Sequence, residues 1–410
     1  MILAYKFRLY PSRAQRQTLD QMLRDFCKLY NAGLEQRIAA FRMRGISLSY
    51  KAQASELKAV RAAGEGLERW SFTAEQQVLR RIDKTFKAFF ARIRRGETPG
   101  FPRFRASARY HAAEFRVGDG LTLRKNDRIA NHIANLGIVG VPGDIKVKCH
   151  RKLPGEAKSA ILTRQNDKWF VVFHVEVAEA ERLDAETVGI DLGLSSLVAL
   201  STGETIERPN WTRRAAKGLR KRQRALARCK HGARRRVKAR ARLAAYSAKI
   251  ARRRADTLHK LSANLTARFA AIGIEDLNIK GLARGMLARD VNDAAWAQLA
   301  SMLDYKAARA GGTIVKVDPR GTSQTCPDCG TIKAKTLSER RHRCACGCDL
   351  DRDVAAAQII HFRAFGSRQR RPAFRANTMR RKAEKSIEFV RAGRLRSGLG
   401  LQNSSRRVAA

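Results

Sequence analysis

The spacing of apolar residues changes along the first hundred residues of the chain. Apolar and polar residues alternate over residues 4–10, which predicts a strand. Pro11-Ser12 then opens a stretch in which apolar residues recur every three or four positions, and this helical period continues to about Arg95. Within residues 74–90 the same period places Phe90 on the apolar face. We therefore predict one strand followed by several helices.

A basic loop ends the helical period at residues 100–105, where Gly100 and Pro102 stand among aromatic and arginine residues. Strand-like runs follow this loop, including residues 137–141 and 169–175. One strand before the helices and several strands after them predict a β domain with a helical domain inserted into it.

A second unit begins with the apolar run at residues 188–193, for which residues 197–200 form the expected hairpin partner. Further along the chain, residues 271–275 and 313–317 have the composition of buried strands. A helical pattern lies between them at residues 296–308. This unit is therefore predicted to combine strands and helices.

The segment from Arg213 to Arg254 contains 19 Lys and Arg residues and no acidic residue, and residues 230–232 interrupt it. Two solvated helices would explain the polarity, but solvated helical faces normally mix charges of both signs. We therefore predict a helical hairpin that faces nucleic acid. Its candidate contact residues are Arg220, Arg224 and Arg235.

The composition of the 410-residue chain indicates polyanionic partners. Lys and Arg number 84 against 37 Asp and Glu, the formal net charge is +47, and the hydrophobic content of 44% is sufficient for ordinary cores. Such a charge attracts DNA or RNA and makes binding depend steeply on salt. The sequence has no 18-residue apolar run, no leader pattern after Met1 and no phosphate-binding glycine loop. We expect a cytoplasmic protein that uses neither a membrane nor a nucleotide cofactor.

Two cysteine knuckles predict a structural zinc site. Cys326 and Cys329 form the first knuckle, and Cys344 and Cys346 form a shorter second one, with a 14-residue spacer between them. Cys348 lies close enough to replace a ligand of the second knuckle. Gly follows Cys346 as it follows Cys329, and glycine permits a tight turn around a bound thiolate, so Cys346 is preferred. With its ligand positions filled, such a site does not itself catalyse a reaction.

Three carboxylates are candidates for a second metal site: Asp191 and Glu275 at the ends of apolar strands, and Asp353 after the knuckles. Two Mg²⁺ ions about 4 Å apart, held by acidic side chains, can activate water and stabilise the leaving oxygen in phosphodiester hydrolysis. Because side chains alternate along a strand, only one of Glu275 and Asp276 can face the site. Asp351 is predicted to cap the helix that carries Asp353.

An ordered set of short motifs runs from the first strand to about residue 365. Its members are Arg8-Leu9-Tyr10-Pro11, Tyr30-Asn31, Phe101-Pro102-Arg103-Phe104, Gly189-Ile190-Asp191-Leu192-Gly193, Glu275-Asp276-Leu277-Asn278, Tyr305-Lys306-Ala307, Thr322-Ser323-Gln324-Thr325-Cys326 and Asp351-Arg352-Asp353. In this order the motifs resemble those of the TnpB (OrfB) insertion-sequence proteins, which are related to the type V CRISPR effector nucleases.

The resemblance implies an α/β multidomain fold. A RuvC-like nuclease domain of the RNase H type, with an inserted zinc ribbon, would follow a wedge β-barrel that carries an inserted helical recognition domain. The implied boundaries are residues 1–10 and 100–182 for the barrel, 11–99 for the helical domain, 183–320 and 350–366 for the nuclease domain with its basic hairpin at 212–265, 321–349 for the ribbon, and 367–410 for a basic, disordered tail.

The resemblance also implies roles for individual residues. Asp191, Glu275 and Asp353 would hold two catalytic Mg²⁺ ions, and the zinc ligands would be Cys326, Cys329, Cys344 and Cys346. A guide RNA transcribed from the element's end would pair with double-stranded target DNA beside a short motif. We expect a bacterial protein that acts as a monomer on one RNA. Tyr50 and Gln76 fall where the helical domain could meet the motif duplex.

Two departures from the family pattern bear on activity. The family usually has Asn two residues after the last catalytic Asp, where this chain has Ala355, and the second knuckle is one residue short. Neither departure removes a carboxylate. They leave open a lowered activity or a shifted ribbon.

The leading hypothesis is therefore an RNA-guided, Mg²⁺-dependent DNA endonuclease. One alternative is an RNA-guided repressor that binds DNA without cutting it, although a protein freed from cleavage has no need for three mutually repelling carboxylates near phosphate. A transposase that joins DNA ends would also use three carboxylates. The placement of the ribbon between Glu275 and Asp353 disfavours that second alternative.

Overall fold

The computed structural model describes residues 1–64, 66–125, 133–178, 180–181, 185–336 and 338–366. The basic tail predicted at residues 367–410 lies outside these ranges. The chain divides into two compact units, one formed by Met1–Glu179 with Ala216–Arg252 and the other by Ala180–Ala215 with Arg253–Ala410. Among the helices that the structure describes, none combines the length and the apolar character that crossing a bilayer requires.

The first unit contains a closed barrel in which the strands follow the order β1-β5-β4-β3-β2-β6-β7. Alternate side chains of the first strand, from Leu3 to Leu9, are buried, which confirms the predicted alternation. The strands are β1 (Ile2–Tyr10), β2 (Ala112–Val117), β3 (Gly120–Lys125), β4 (Ile133–Ile138), β5 (Ile145–Lys148), β6 (Ala157–Gln165) and β7 (Lys168–Glu176).

Three helices are inserted between β1 and β2, as the order of the sequence patterns predicted: α1 (Arg13–Arg44), α2 (Tyr50–Ala62) and α3 (Phe72–Arg94). Ser12 caps α1 in a capping box with Gln15, and the helix ends at Gly45 with a φ of 66°. Helices α1 and α3 approach closely at Gly33, because a Cβ atom there would lie 2.9 Å from Ile82 Cδ1.

One detail of the predicted elements is wrong. The strand predicted at residues 137–141 ends at Ile138, because Gly140 lies in a turn with a φ of 82°. A side chain at position 140 would meet the carbonyl oxygen of Arg69 at 2.5 Å. Phe90 lies on the predicted face of α3, stacked on Phe86, and it is 53% exposed because the buried residues of α3 end at Ile82.

The second unit is built on a five-stranded sheet with the order β10-β9-β8-β11-β12. The strands β8, β11 and β12 are parallel, and β9 and β10 extend the sheet in an antiparallel meander. Their bounds are β8 (Thr187–Asp191), β9 (Ser196–Leu200), β10 (Thr205–Glu207), β11 (Ala271–Glu275) and β12 (Thr313–Val317).

The remaining elements complete the described part of the chain. They are α4 (Trp211–Ala227), α5 (Arg234–Arg268), α6 (Ile279–Leu282), α7 (Ala288–Ala294), α8 (Trp296–Arg309), β13 (Arg341–Arg343), β14 (Asp349–Asp351) and α9 (Arg352–Phe365). Helices α4 and α5 are the predicted basic pair, and the Arg222 guanidinium lies 3.9 Å from the ring centroid of Tyr246 between them.

Helix α9 crosses the sheet directly over two glycines. A Cβ atom at Gly189 on β8 would lie 2.2 Å from the carbonyl oxygen of Ala357, and one at Gly273 on β11 would lie 2.8 Å from Ala364 Cβ. Glycine on these strands therefore lets the helix backbone approach the sheet. This contact brings the first turn of α9 to the ends of the parallel strands.

Candidate functional site

Asp191 is the last residue of β8, and its carboxylate lies in a cluster of acidic side chains. Burial raises the pKa of Asp191 well above its usual value, and the neighbouring carboxylates of Glu275 and Asp353 raise it further. A bound cation would offset both the burial and the repulsion between the carboxylates. Asp191 is therefore suited to hold a metal ion.

Glu275 ends β11, which runs parallel to β8 with Ile274 beside Ile190, so both acids lie at the same edge of the sheet. Thr322 Oγ1 donates a hydrogen bond of 2.5 Å to Glu275 Oε1. Burial raises the pKa of Glu275, and the Thr322 hydrogen bond acts in the opposite direction. The side chain of Asp276 is 68% exposed and pairs with Lys316 at 3.6 Å, which confirms that only one acid of this pair faces the cluster.

Asp353 lies in the first turn of α9. The Oδ1 atom of Asp351 accepts hydrogen bonds from the backbone N–H groups of Asp353 and Val354, at 2.9 and 3.4 Å, which confirms Asp351 as the helix cap. Burial raises the pKa of Asp353, and the Asp351 carboxylate contributes further. Gly193 lies against Asp353, since a Cβ atom at Gly193 would be 3.2 Å from Asp353 Oδ2.

The structure thus brings the three predicted acids together at one edge of the sheet, from two strands and one helix. Within the described residues, groups of three or more possible ligand atoms that all lie within 4.8 Å of one another occur only among the cysteines and His342. The carboxylate oxygens of Asp191, Glu275 and Asp353 therefore do not all lie within 4.8 Å of one another. Carboxylate oxygens are the donors that Mg²⁺ and Mn²⁺ prefer, so this donor set fits hard divalent cations.

Sequence reasoning gave no chemical role to Thr322 or Arg352, although both belong to the motifs that carry the resemblance. Thr322 contacts the acid cluster directly. The Arg352 guanidinium donates to the carbonyl oxygens of Thr336 at 2.7 Å and Glu339 at 3.2 Å, and to Ser323 Oγ at 3.3 Å. Arg352 therefore joins the start of α9 to two segments, one before the first knuckle (Ser323) and one after it (Thr336 and Glu339).

The four predicted zinc ligands lie together, with the sulfur atoms of Cys326, Cys329, Cys344 and Cys346 all within 4.8 Å of one another. The sulfurs of Cys326 and Cys346 are 3.6 Å apart, and those of Cys329 and Cys344 are 3.5 Å apart. A tetrahedron with Zn–S bonds of about 2.3 Å separates its sulfurs by about 3.8 Å. The cluster therefore fits a zinc ion.

A second group shares one of these cysteines. Cys326, His342 and Cys348 are all buried, and their ligand atoms lie within 4.8 Å of one another. Lys335 Nζ contacts His342 Nδ1, and His342 Nε2 has no hydrogen-bond partner in the described part of the chain. The structure therefore places Cys348 beside Cys326 and His342, outside the group of four sulfurs. His342 is a residue that sequence reasoning missed.

The predicted nucleic-acid contacts lie on exposed or half-buried helical faces. Arg220 and Arg224 on α4, and Arg235 on α5, are exposed and form no ion pair within the described residues. Tyr50 begins α2, and the Arg80 guanidinium lies 4.9 Å from its ring centroid. Gln76 is half-buried on α3, one turn before Arg80.

Family profiles match three segments of the chain. Residues 170–286 match the profile described as "Probable transposase" of the OrfB IS605 group, and residues 296–360 match the "Cas12f1-like, TNB domain". Residues 1–45 match a profile described as a helix-turn-helix domain. In the structure this last segment consists of strand β1 and the single long helix α1.

Two curated relatives carry the name "Putative RNA-guided DNA endonuclease". The protein from Streptomyces pristinaespiralis is 36% identical over 371 residues, covering 87% of this chain and 88% of its own length. The protein InsQ from Escherichia coli K12 is 28% identical over 289 residues, with coverage of 66% and 68%. The chain belongs to the TnpB (OrfB) family.

A solved structure also shares the fold. The cryo-EM structure of the Cas12f1-sgRNA-target DNA complex aligns with a TM-score of 0.55 at 14% identity, and it covers 86% of this chain and 83% of that one. At this level of identity the similarity is one of fold.

Proposed function

We propose that this chain is an RNA-guided DNA endonuclease of an insertion sequence, which cuts target DNA beside a short element-associated motif. The observation that carries the proposal is the cluster of Asp191, Glu275 and Asp353 at one sheet edge, in a chain of the TnpB family. The two curated relatives are named RNA-guided DNA endonucleases, which favours cleavage over the repressor alternative.

The acid cluster supports phosphodiester hydrolysis with two Mg²⁺ ions. Bound there, the ions would supply an activated water and stabilise the charge on the leaving oxygen. The residues of the chain contribute position: Thr322 holds Glu275 at the end of its strand, and the Asp351 cap fixes the turn that carries Asp353.

The domains that the family implies accord with the observed elements. The strand order β10-β9-β8-β11-β12, an antiparallel meander followed by two parallel strands, supports an RNase H-type nuclease domain over residues 183–320 and 350–366. Residues 1–10 and 100–182 would be the wedge barrel, 11–99 the helical recognition domain, and 321–349 a zinc ribbon held by the four-cysteine cluster.

Guide RNA and double-stranded DNA are the proposed partners. Arg220, Arg224 and Arg235 are exposed and form no ion pair among the described residues, so they can neutralise backbone phosphates without regard to sequence. Base pairing with the guide would select the target. Tyr50 and Gln76 are proposed to contact the motif duplex, and the working unit is proposed to be a monomer on one RNA.

The experiment that tests this function starts from co-expression with RNA from the flanking DNA. The purified complex is given a plasmid library in which a guide-matched target lies beside randomised bases, with Mg²⁺ or EDTA. Breaks that require both the guide and Mg²⁺ are the expected result. Guided binding without breaks would support the repressor, and joined DNA ends would support a transposase.

A further inference from the structure

The first unit exposes a cluster of aromatic rings at the end of α3. Phe86, Phe89 and Phe90 lie on this helix, and Phe101 comes from the basic loop that follows it. We call these four residues the phenylalanine surface. Phe90 is 53% exposed and Phe101 is 50% exposed, so two rings of the cluster face solvent.

The rings of this surface hold one another in fixed orientations. Phe89 makes edge contacts with both exposed rings, at centroid distances of 5.2 Å to Phe90 and 5.4 Å to Phe101. Phe86 supports the same two rings, stacked with Phe90 at 6.4 Å and edge-on to Phe101 at 5.9 Å. Rings that are already ordered lose little conformational entropy when a partner binds.

The surroundings of the phenylalanine surface are strongly basic. Residues 84–105 contain seven Lys and Arg residues and a single acid, Glu97, which pairs with Arg95. Arg92, Arg94 and Arg103 form no ion pair within the described residues. The Arg92 guanidinium lies next to the loop, since a Cβ atom at Gly100 would be 3.9 Å from Arg92 Nη1.

We propose that the phenylalanine surface binds unpaired bases of the guide RNA by stacking, with the surrounding arginines on the adjacent phosphates. Aromatic rings stack on any base, and a groove of positive charge follows the backbone. This inference rests on the proposed function, because it assigns part of the RNA to a place on the protein.

Guide RNA fits the phenylalanine surface better than a second copy of the chain or target DNA does. A second copy of the chain would bring Arg92, Arg94 and Arg103 against the same like charges, which disfavours self-association. Exposed apolar rings are costly in water. In the proposed complex, a guide RNA that remains bound between target encounters would keep these rings covered.

The test compares two double variants. Phe90→Leu with Phe101→Leu keeps apolar bulk and removes both π-faces, and Phe90→Trp with Phe101→Trp keeps the π-faces. RNA affinity is measured by filter binding with the guide RNA at several salt concentrations. We expect the leucine variant to bind roughly 10- to 100-fold more weakly, since stacking contributes about 1–3 kcal/mol per base, and the tryptophan variant to match the wild type.

The salt dependence separates stacking from charge. The leucine variant should keep the wild-type slope of log affinity against log salt, whereas Arg92→Gln with Arg94→Gln should lower the slope by about 1 to 2. Guide RNA carrying 5-iodouridine at its unpaired positions should crosslink to Phe90 or Phe101. Thermal melting of each variant establishes that it is folded.

Several outcomes overturn the proposal. The first is wild-type affinity for guide RNA in the leucine variant, and the second is an equal loss of RNA affinity in the leucine and tryptophan variants. The third is a leucine variant that binds guide RNA normally but binds target DNA more weakly. The fourth is self-association of the RNA-free wild type that the leucine variant abolishes. If the wild type itself fails to bind guide RNA, the proposed function falls as well. If the wild type binds and cuts while the leucine variant binds equally well, only this inference falls.

Discussion

At the scale of single residues, the hydrogen bond from Thr322 to Glu275 is the contact that most directly controls the acid cluster. It joins residues 47 positions apart and fixes the orientation of a half-buried carboxylate. A carboxylate held in one orientation needs no reorganisation when a cation binds. Thr322 is therefore a positioning residue for the metal site.

We predict that Thr322→Val weakens Mg²⁺ binding while Thr322→Ser preserves it. Because a hydrogen bond to a charged group contributes about 1.5–3 kcal/mol, the Mg²⁺ concentration for half-maximal cleavage should rise about 10- to 100-fold in the valine variant. The measurement is a Mg²⁺ titration of the cleavage rate, with zinc content as the control. Equal Mg²⁺ dependence in both variants would contradict this role.

Glu75 is a buried carboxyl group of the first unit whose titration should make stability depend on pH. Its side chain is fully buried, Oε2 accepts from Arg61 at 2.7 Å, and Oε1 has no partner in the described part of the chain. Burial raises the pKa of Glu75 from 4.5 to about 7. The folded protein therefore keeps a proton between these two pH values that the unfolded chain has lost.

Because the unfolded state binds fewer protons in that window, this group makes the free energy of unfolding fall as pH rises from about 4.5 to 7. Glu75→Gln stays neutral, so the stability of the wild type relative to this variant should fall by up to about 1.4 kcal/mol per pH unit. Denaturant unfolding at pH 5, 6 and 7 measures the difference, with an exposed Glu35→Gln variant as the control. A pH-independent difference would argue against the raised pKa.

At the scale of elements, the predictions succeeded where a short apolar run pairs with neighbours in one sheet. Strands β11 and β12 occupy the predicted residues, and Ser12 opens α1 as its pattern indicated. The strand predicted at 137–141 ends early at a turn in which Gly140 lies against Arg69 and Trp70, and these distant residues are not visible in the local pattern. The Thr322–Glu275 contact likewise depends on tertiary packing between distant segments.

Zinc content can distinguish the two possible ligand groups of the cysteine region, the four-sulfur cluster and the group of Cys326, His342 and Cys348. Cys346→Ser should lower the zinc content from about one ion per chain, because Cys346 lies in the four-sulfur cluster. Cys348→Ser should retain zinc, since Cys348 lies outside that cluster beside His342. Elemental analysis of both purified variants measures the zinc content per chain and shows which ligand group holds the ion. Zinc loss in the Cys348 variant alone would assign the ion to Cys326, His342 and Cys348.

At the scale of the whole molecule, a net charge of +47 makes salt dependence a direct measure of phosphate contact. Replacing Arg220, Arg224 and Arg235 by Gln should lower the slope of log RNA affinity against log salt by about 2 to 3. Arg124→Gln is the matched control, because Arg124 is already paired with Asp144 at 2.8 Å. An unchanged slope in the triple variant would remove the basic hairpin from the RNA-binding surface.

The assignment of the three carboxylates to a catalytic metal site is best tested by comparing Asp191→Ala with Asp276→Asn. Both variants are assembled with guide RNA, and cleavage of matched target DNA is followed with Mg²⁺ and with EDTA, together with RNA affinity. We expect Asp191→Ala to abolish cleavage with RNA binding intact, and Asp276→Asn to cut at the wild-type rate because the Asp276 side chain is exposed and paired with Lys316. Cleavage that persists in Asp191→Ala, or loss of RNA binding in that variant, would contradict the assignment of the site.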